Sequence, residues 1–173
     1  MLEIIIDTLW NGQSGSPQEH YVLTLQATLT GYHLHIKAPF FNDPKPDGPE
    51  GSFWQLWEHE VVELFIVGAN GHYLELECGP HGHYLVLQLD GVRSVARHSL
   101  ETAYTVELND TSWSATLHIP QSWIPEGPHR LNAFAIHGLG AQRRYLAHTP
   151  LPGVTPDFHQ PSQFRPSSLP NMG

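Results

Sequence analysis

Three glutamates on two neighbouring strand-like segments are the residues best placed for chemistry. Glu63 lies in LWEHEVVELF (56–65), and Glu75 and Glu77 lie in YLELEC (73–78). Side chains alternate along a strand, so we expect all three acids on one face if the intervening apolar residues point into the core. Like charges opposed across a sheet are destabilising, so some other interaction must compensate for the repulsion between these glutamates.

The turn at residues 68–71 sets the expected register of this hairpin. Glu63 should lie opposite Glu77, and Phe65 should lie opposite Glu75. Water is the simplest offset, because one face of an antiparallel sheet is often wet. A structural counterion is a second alternative, from Arg93, Arg97 or Arg144.

A polyol-binding face is a third reading of the same cluster. A carboxylate can accept hydrogen bonds from two sugar hydroxyls, and the C–H face of a sugar packs on aromatic rings. Such a mixture of acceptors and rigid aromatic side chains is typical of a small-ligand site. The aromatic residues available for it are Trp54, Trp57, Tyr73, Tyr84 and Tyr145.

Two enzymatic alternatives use the same region. Opposed carboxyls about 5 Å apart have the spacing of a retaining glycosidase, which also requires one raised pKa and a substrate-shaped cleft. His81 and His83 share a face if they lie on a strand, and with Glu77 or His59 they could hold a metal ion. Ordinary hydrogen bonding in a turn is the simpler reading of these histidines.

Composition narrows the class of partner. The 173-residue chain carries 8 basic and 17 acidic residues, a formal net charge of −9, which disfavours nucleic acid and anionic membrane surfaces. No apolar stretch reaches the roughly 18 residues of a membrane span, and no signal peptide is recognisable, so the expected location is cytoplasmic. With one cysteine, Cys78, no intrachain disulfide can form.

The elements that would position these residues are short strands. Fifteen glycines and fifteen prolines separate alternating segments, and no long amphipathic helix is visible. The pattern predicts an all-β fold, an antiparallel β-sandwich with at most short helical turns. We expect one domain, 1–173, whose proline-rich tail (150–173) wraps the surface.

An ordered set of motifs is familiar. The chain contains FFNDP, LWEHEVVELF, YLELECGPHGHYLVL, NAFAIHG and PDFH, in that order between Phe40 and His159. This set resembles a little-characterised family of small proteins with a fold like that of family-9 carbohydrate-binding modules, also described as DOMON-like. The resemblance implies a two-sheet sandwich, and sugar-binding members of the wider group clamp a terminal sugar between two aromatic rings.

The resemblance also implies site positions. Trp57 looks like the first aromatic, Glu63 like its acidic partner, and Glu77 matches a polar contact position. The segment of the second aromatic reads AHTP here, which puts His148 in its place. Haem is bound in the same fold class through Met and His; Met1 and Met172 are both terminal, which disfavours that pair and leaves bis-His ligation open.

The expected function is non-catalytic recognition of a small sugar or polyol on a polar and aromatic sheet face. No cofactor is assigned, with calcium left open, and the oligomeric state is not predicted. The alternatives are an intracellular scaffold with an acidic or metal-binding face and a small metal-dependent enzyme. The expected ligand-binding residues are Trp57, Glu63, Glu75, Glu77, Arg144, Tyr145 and His148.

Overall fold

A computed structural model describes residues 1–171; residues 172 and 173, which include Met172 and end the predicted tail, lie outside the described residues. Within residues 1–171, short 3-10 helices span Leu56–Glu58, Gln121–Trp123, Gly140–Gln142 and Pro161–Gln163. The strands are β1 (Leu2–Ile6), β2 (Thr8–Leu9), β3 (Tyr21–Ala27), β4 (Gly31–Pro39), β5 (Gly51–Ser52), β6 (Val61–Val67), β7 (Tyr73–Cys78), β8 (His83–Leu89), β9 (Val95–His98), β10 (Tyr104–Leu108), β11 (Ser112–Pro120), β12 (His129–His137), β13 (Arg144–Ala147) and β14 (Arg165–Ser167).

The strands form two sheets. The five-stranded sheet has the order β1-β3-β4-β11-β10. The nine-stranded sheet has the order β2-β13-β12-β6-β7-β8-β5, with β14 paired to β12 and β9 paired to β8. Among the described strands, β5 and β8 pair in parallel and the other pairs are antiparallel. The predicted all-β antiparallel sandwich is confirmed.

The main core lies between the two sheets and follows from alternation along the strands. In β3 and β4, Leu23 and Leu34 point inward, and the polar residues beside them point outward. In the nine-stranded sheet, Leu64 and Leu76 meet them from the other side. Each such side chain contributes about 1.5–3 kcal/mol when it is fully buried.

The outer face of the nine-stranded sheet is also covered. All seven residues of β6 are buried, which requires packing on both faces of the strand. The covering residues form a second apolar cluster around Phe65, Leu87 and Phe134, with Leu151, Phe158 and Phe164 supplied by the chain after residue 150. The reading in which water offsets the charges of Glu63, Glu75 and Glu77 is therefore wrong, because these three residues are buried.

The tail is more ordered than its proline content indicates. β14 pairs with β12, and the ring of Phe158 stacks on that of Phe134 with centroids 4.0 Å apart. Asp157 Oδ1 accepts the backbone N–H of His159 at 3.0 Å, as expected of an acidic residue in a turn. No helix among residues 1–171 has the length and apolar character that a membrane span requires.

Candidate functional site

The β6–β7 hairpin brings the three glutamates together. Glu63 pairs with Glu77 across the strands and Phe65 pairs with Glu75, as predicted. One carboxylate oxygen from each of Glu63, Glu75 and Glu77 lies within 4.8 Å of the others. We call these three side chains the carboxyl floor. Their residues are only 2%, 3% and 0% exposed, so water does not offset their charges.

The carboxyl floor lacks the partners that buried acids usually have. Within residues 1–171, Glu75 Oε2 and both carboxyl oxygens of Glu77 find no hydrogen-bond partner among the protein groups. Buried polar groups are normally hydrogen-bonded, and each unsatisfied one costs about 1–3 kcal/mol. Such exceptions mark a place where a proton, a cation or a ligand completes the structure.

Burial keeps protons on the carboxyl floor. Desolvation raises the pKa of Glu63 and of Glu77 well above the ordinary value of 4.5, and repulsion by neighbouring carboxylates adds to it. Desolvation also raises the pKa of Glu75, to about 7. A protonated carboxyl donates one hydrogen bond and accepts others, so near neutral pH the floor offers both functions to a ligand.

Glu63 and Glu75 line a cavity of about 660 Å³ that opens to the surface, and we call this cavity the cleft. Its aromatic lining includes Trp54, Trp57 and Tyr145. The 3-10 helix Leu56–Glu58 buries Leu56 and thereby turns Trp57 into the cleft. The rings of Trp54 and Trp57 meet edge to face, with centroids 5.2 Å apart, so the pair presents a fixed aromatic wall.

Charged residues stand around the mouth of the cleft. Arg93 Nη2 donates to Asp157 Oδ1 at 2.7 Å, and both side chains are substantially exposed. Arg143 Nη2 donates to the carbonyl oxygen of Trp57 at 2.6 Å, and its guanidinium lies 5.7 Å from the centroid of the Tyr145 ring. These arginines shape the entrance, and each has partners other than the carboxyl floor.

His159 closes one side of the cleft. Its Nδ1 lies 2.7 Å from the hydroxyl of Tyr73, and its Nε2 lies 4.0 Å from Glu75 Oε2. Burial lowers the pKa of His159 to about 4, and the nearby Arg93 adds to this. The ring is therefore neutral at pH 7 and does not neutralise Glu75.

The predicted site residues divide into two groups. Trp57, Glu63, Glu75 and Tyr145 line the cleft, and Glu77 lies beneath it as part of the carboxyl floor. Arg144 and His148 lie elsewhere, and they are described next. Arg143, Asp157 and His159 also line the cleft, although the sequence had not placed them there.

The structure corrects the prediction that Arg144 lies in the site, and the reason is simple. Arg144 and Tyr145 are consecutive in β13, so their side chains point to opposite faces. With Tyr145 in the cleft, Arg144 faces the other way and its Nε and Nη2 donate to the carboxylate of Glu19, the latter at 2.7 Å. Arg143, which precedes β13, reaches the cleft instead.

The predicted position of His148 is corrected as well, and the simpler reading of His81 and His83 agrees with their surroundings. His148 Nδ1 lies 2.7 Å from the carbonyl oxygen of Ile5 in β1, so the ring is held against the neighbouring sheet and not the cleft. Nε2 of His83 lies 3.2 Å from the carbonyl oxygen of Gly48. Neither His81 nor His83 joins the carboxyl floor, which is the described cluster with the spacing of a metal site.

Comparison with individual proteins finds relatives of this chain, although no family model matches the sequence. A rat protein, UPF0462 protein C4orf33 homolog, is 41% identical over 148 residues, 80% of this chain and 74% of the relative. The human UPF0462 protein C4orf33 is 36% identical over 169 residues, 91% of this chain and 83% of the relative.

A solved structure shares the fold. The crystal structure of a "putative carbohydrate-binding protein" from Bacteroides uniformis superposes with a TM-score of 0.74 over 95% of this chain and 84% of that one. The two sequences are 16% identical, so the likeness concerns the sandwich itself. Sequence identity to the rat and human proteins over most of their length goes further: this chain belongs to the UPF0462 family.

Proposed function

We propose that the cleft binds a small sugar or polyol and that the protein is a non-catalytic binding module. One observation carries the proposal: aromatic side chains and a buried, unpartnered carboxyl oxygen, Glu75 Oε2, meet in a single cleft. Trp57 and Tyr145 offer surfaces for the C–H groups of a sugar ring. Glu63 and Glu75 offer hydrogen-bonding groups for its hydroxyls.

The size and protonation of the cleft favour a ligand rich in hydroxyls. Its volume of about 660 Å³ lies within the range of small-ligand sites. A sugar hydroxyl both donates and accepts, and a carboxyl that retains its proton can satisfy both roles. The buried oxygen of Glu75 would gain the partner that it lacks in the protein alone.

The fold gives independent support. The Bacteroides uniformis protein, which has the same sandwich, is described as a "putative carbohydrate-binding protein". At 16% identity the likeness extends to architecture, so the argument for this chain depends on its own cleft residues. A binding measurement on those residues is the appropriate test.

Trp57→Ala tests the proposal directly. Isothermal titration of the untagged protein against mono- and disaccharides, with and without calcium, should find a ligand whose dissociation constant rises at least about tenfold in the variant, because the stacking surface is lost. Trp123→Ala is the matched control, since Trp123 packs against the main core and does not line the cleft. Circular dichroism would check that both variants fold.

Two results would contradict the proposal. One is the absence of any binding or thermal shift across the sugar panel, which would favour an interaction module with an acidic face. The other is an equal loss of affinity in the Trp57 and Trp123 variants, which would show that the cleft is not where the sugar binds.

A further inference from the structure

We infer that the cleft selects a ligand that carries a positively charged amine beside its hydroxyls, such as an amino sugar, over the neutral sugar of the same shape. This inference rests on the proposed function and names the ligand class. Its basis is the excess of acidic side chains in the cleft: Glu58, Glu63, Glu75 and Asp157 line it, with two arginines. Glu77 lies directly beneath, within 4.8 Å of Glu63 and Glu75.

The arginines leave the carboxyl floor without a bonded cation. Arg93 is engaged with Asp157 at the mouth. Arg143 donates to backbone carbonyls, those of Trp57 at 2.6 Å and Gly138 at 3.2 Å. Within residues 1–171, no arginine or lysine forms an ion pair with Glu63, Glu75 or Glu77.

An unpartnered oxygen points to where the cation belongs. The Glu75 side chain is 5% exposed, lines the cleft, and has its Oε2 free of hydrogen bonds within the described residues. His159, 4.0 Å from this oxygen, is neutral at pH 7, and Arg93 acts on Glu75 only through its charge, because its guanidinium is bonded to Asp157. A ligand ammonium has three donors and would take the place of the proton on Glu75, whose pKa is raised only to about 7. Hydrogen bonds between an ammonium and a carboxylate are about twice as strong as neutral ones.

The walls favour an organic cation over a metal ion. Trp57, Trp54 and Tyr145 line the cleft, and aromatic rings attract ammonium groups electrostatically and pack against carbon. A calcium ion takes six to eight oxygen ligands, many of them waters or backbone carbonyls, and aromatic rings do not coordinate it. An amine attached to a sugar ring uses both the carboxyl floor and the walls.

A matched series of sugars tests the inference on the unmodified protein. Glucose, glucosamine and N-acetylglucosamine share a ring, and among them only glucosamine carries a charge. Titrated into the full chain at pH 7 and low salt with EDTA present, glucosamine should bind at least about tenfold more tightly than either of the others. Acetylation of the amine should remove the whole advantage.

Variants then locate the effect. Glu75→Gln keeps the shape of the side chain and removes its charge, so the preference for glucosamine over glucose should fall to about threefold or less. Glu107→Gln is the control: Glu107 is an exposed strand glutamate on β10, and its loss should leave the ratio unchanged.

The contrary outcomes are distinguishable. If glucose binds as tightly as glucosamine, the inference is overturned while sugar binding itself stands. If none of the three sugars or other sugars binds, the proposed function fails and the inference fails with it. If calcium raises the melting temperature and the sugars then bind equally, the floor is a metal site and the inference is overturned.

Discussion

At the scale of single residues, the chain buries acids in two different ways. Glu19 has many partners: Arg144, His137 and the backbone N–H of Ser16. Burial alone would raise its pKa, but these partners outweigh burial and lower it to about 2. Glu77 is buried as deeply without a basic partner, and its pKa is raised. The first arrangement stabilises an ionised acid within the fold, and the second keeps a neutral acid beneath the cleft.

Arg144→Ala should therefore affect stability. Glu19 is 1% exposed at its side chain and would keep a buried charge without its main partner. Because Arg144 is itself 38% exposed, we expect a loss of about 2 kcal/mol in the free energy of unfolding, below the value for a fully buried pair. Urea denaturation measures this. Arg97→Ala, which removes one exposed contact with Gln88, should cost under about 0.5 kcal/mol; equal losses would refute the role of Glu19.

At the scale of elements, the alternation of residues predicted the β6–β7 hairpin but not the tail residues that bury its outer face. The register of Glu63 with Glu77 follows from the two-residue period of a strand and from the odd number of residues, 68–72, between Val67 and Tyr73, so it could be predicted. The burial of these residues depends on Leu151, Phe158 and Phe164, three apolar residues scattered among prolines in the tail. Such spacing has no period, so nothing local indicates which sheet the tail contacts.

The same limit explains which site residues could be found. Trp57 and the glutamates lie in or beside regular strands, where alternation assigns a face. Asp157 and His159 reach the cleft only because the tail folds back over β12. A signal for them was present in the PDFH motif, whose acid and histidine are separated by one residue.

Phe158→Ala tests the tail as a structural element. Phe158 is 9% exposed and stacks on Phe134 at 4.0 Å, so truncation leaves a cavity and should cost about 3 kcal/mol in unfolding free energy. Val154→Ala is the matched control from the same segment: Val154 is 97% exposed and should cost under about 0.5 kcal/mol. Similar midpoints for both variants in urea would mean that the tail does not cover the sheet in solution.

At the scale of the whole molecule, buried groups set an opposing pair of pH effects. The folded protein holds protons on Glu75 and Glu60, whose pKa values burial raises to about 7, and these protons leave the unfolded chain above about pH 4.5. The free energy of unfolding therefore falls as pH rises from 4.5 through the folded pKa values. His159, with its pKa lowered to about 4, acts in the opposite sense between pH 4 and 6.5.

The two effects partly cancel below pH 6.5, and above it the buried carboxyls dominate. Glu63 and Glu77 act in the same sense, because burial raises their pKa values well above 4.5 as well. Each proton held by the folded state and absent from the unfolded state contributes a slope of about 1.4 kcal/mol per pH unit. A ligand cation in the cleft would reduce this slope, since it takes the place of the proton.

Glu77→Gln isolates the contribution of the carboxyl floor. Glutamine keeps the shape of the side chain and needs no proton, so the variant should lose less stability than the wild type between pH 6.5 and 8. The stability curve of the variant should be flatter by up to about 1.4 kcal/mol per pH unit, the slope of one proton, measured by urea denaturation at each pH. For Glu107→Gln, at an exposed strand position, the plot of unfolding free energy against pH should run parallel to that of the wild type. If the curves of wild type and Glu77→Gln are parallel, Glu77 holds no extra proton in the folded state. The prediction that burial keeps the carboxyl floor protonated would then be wrong.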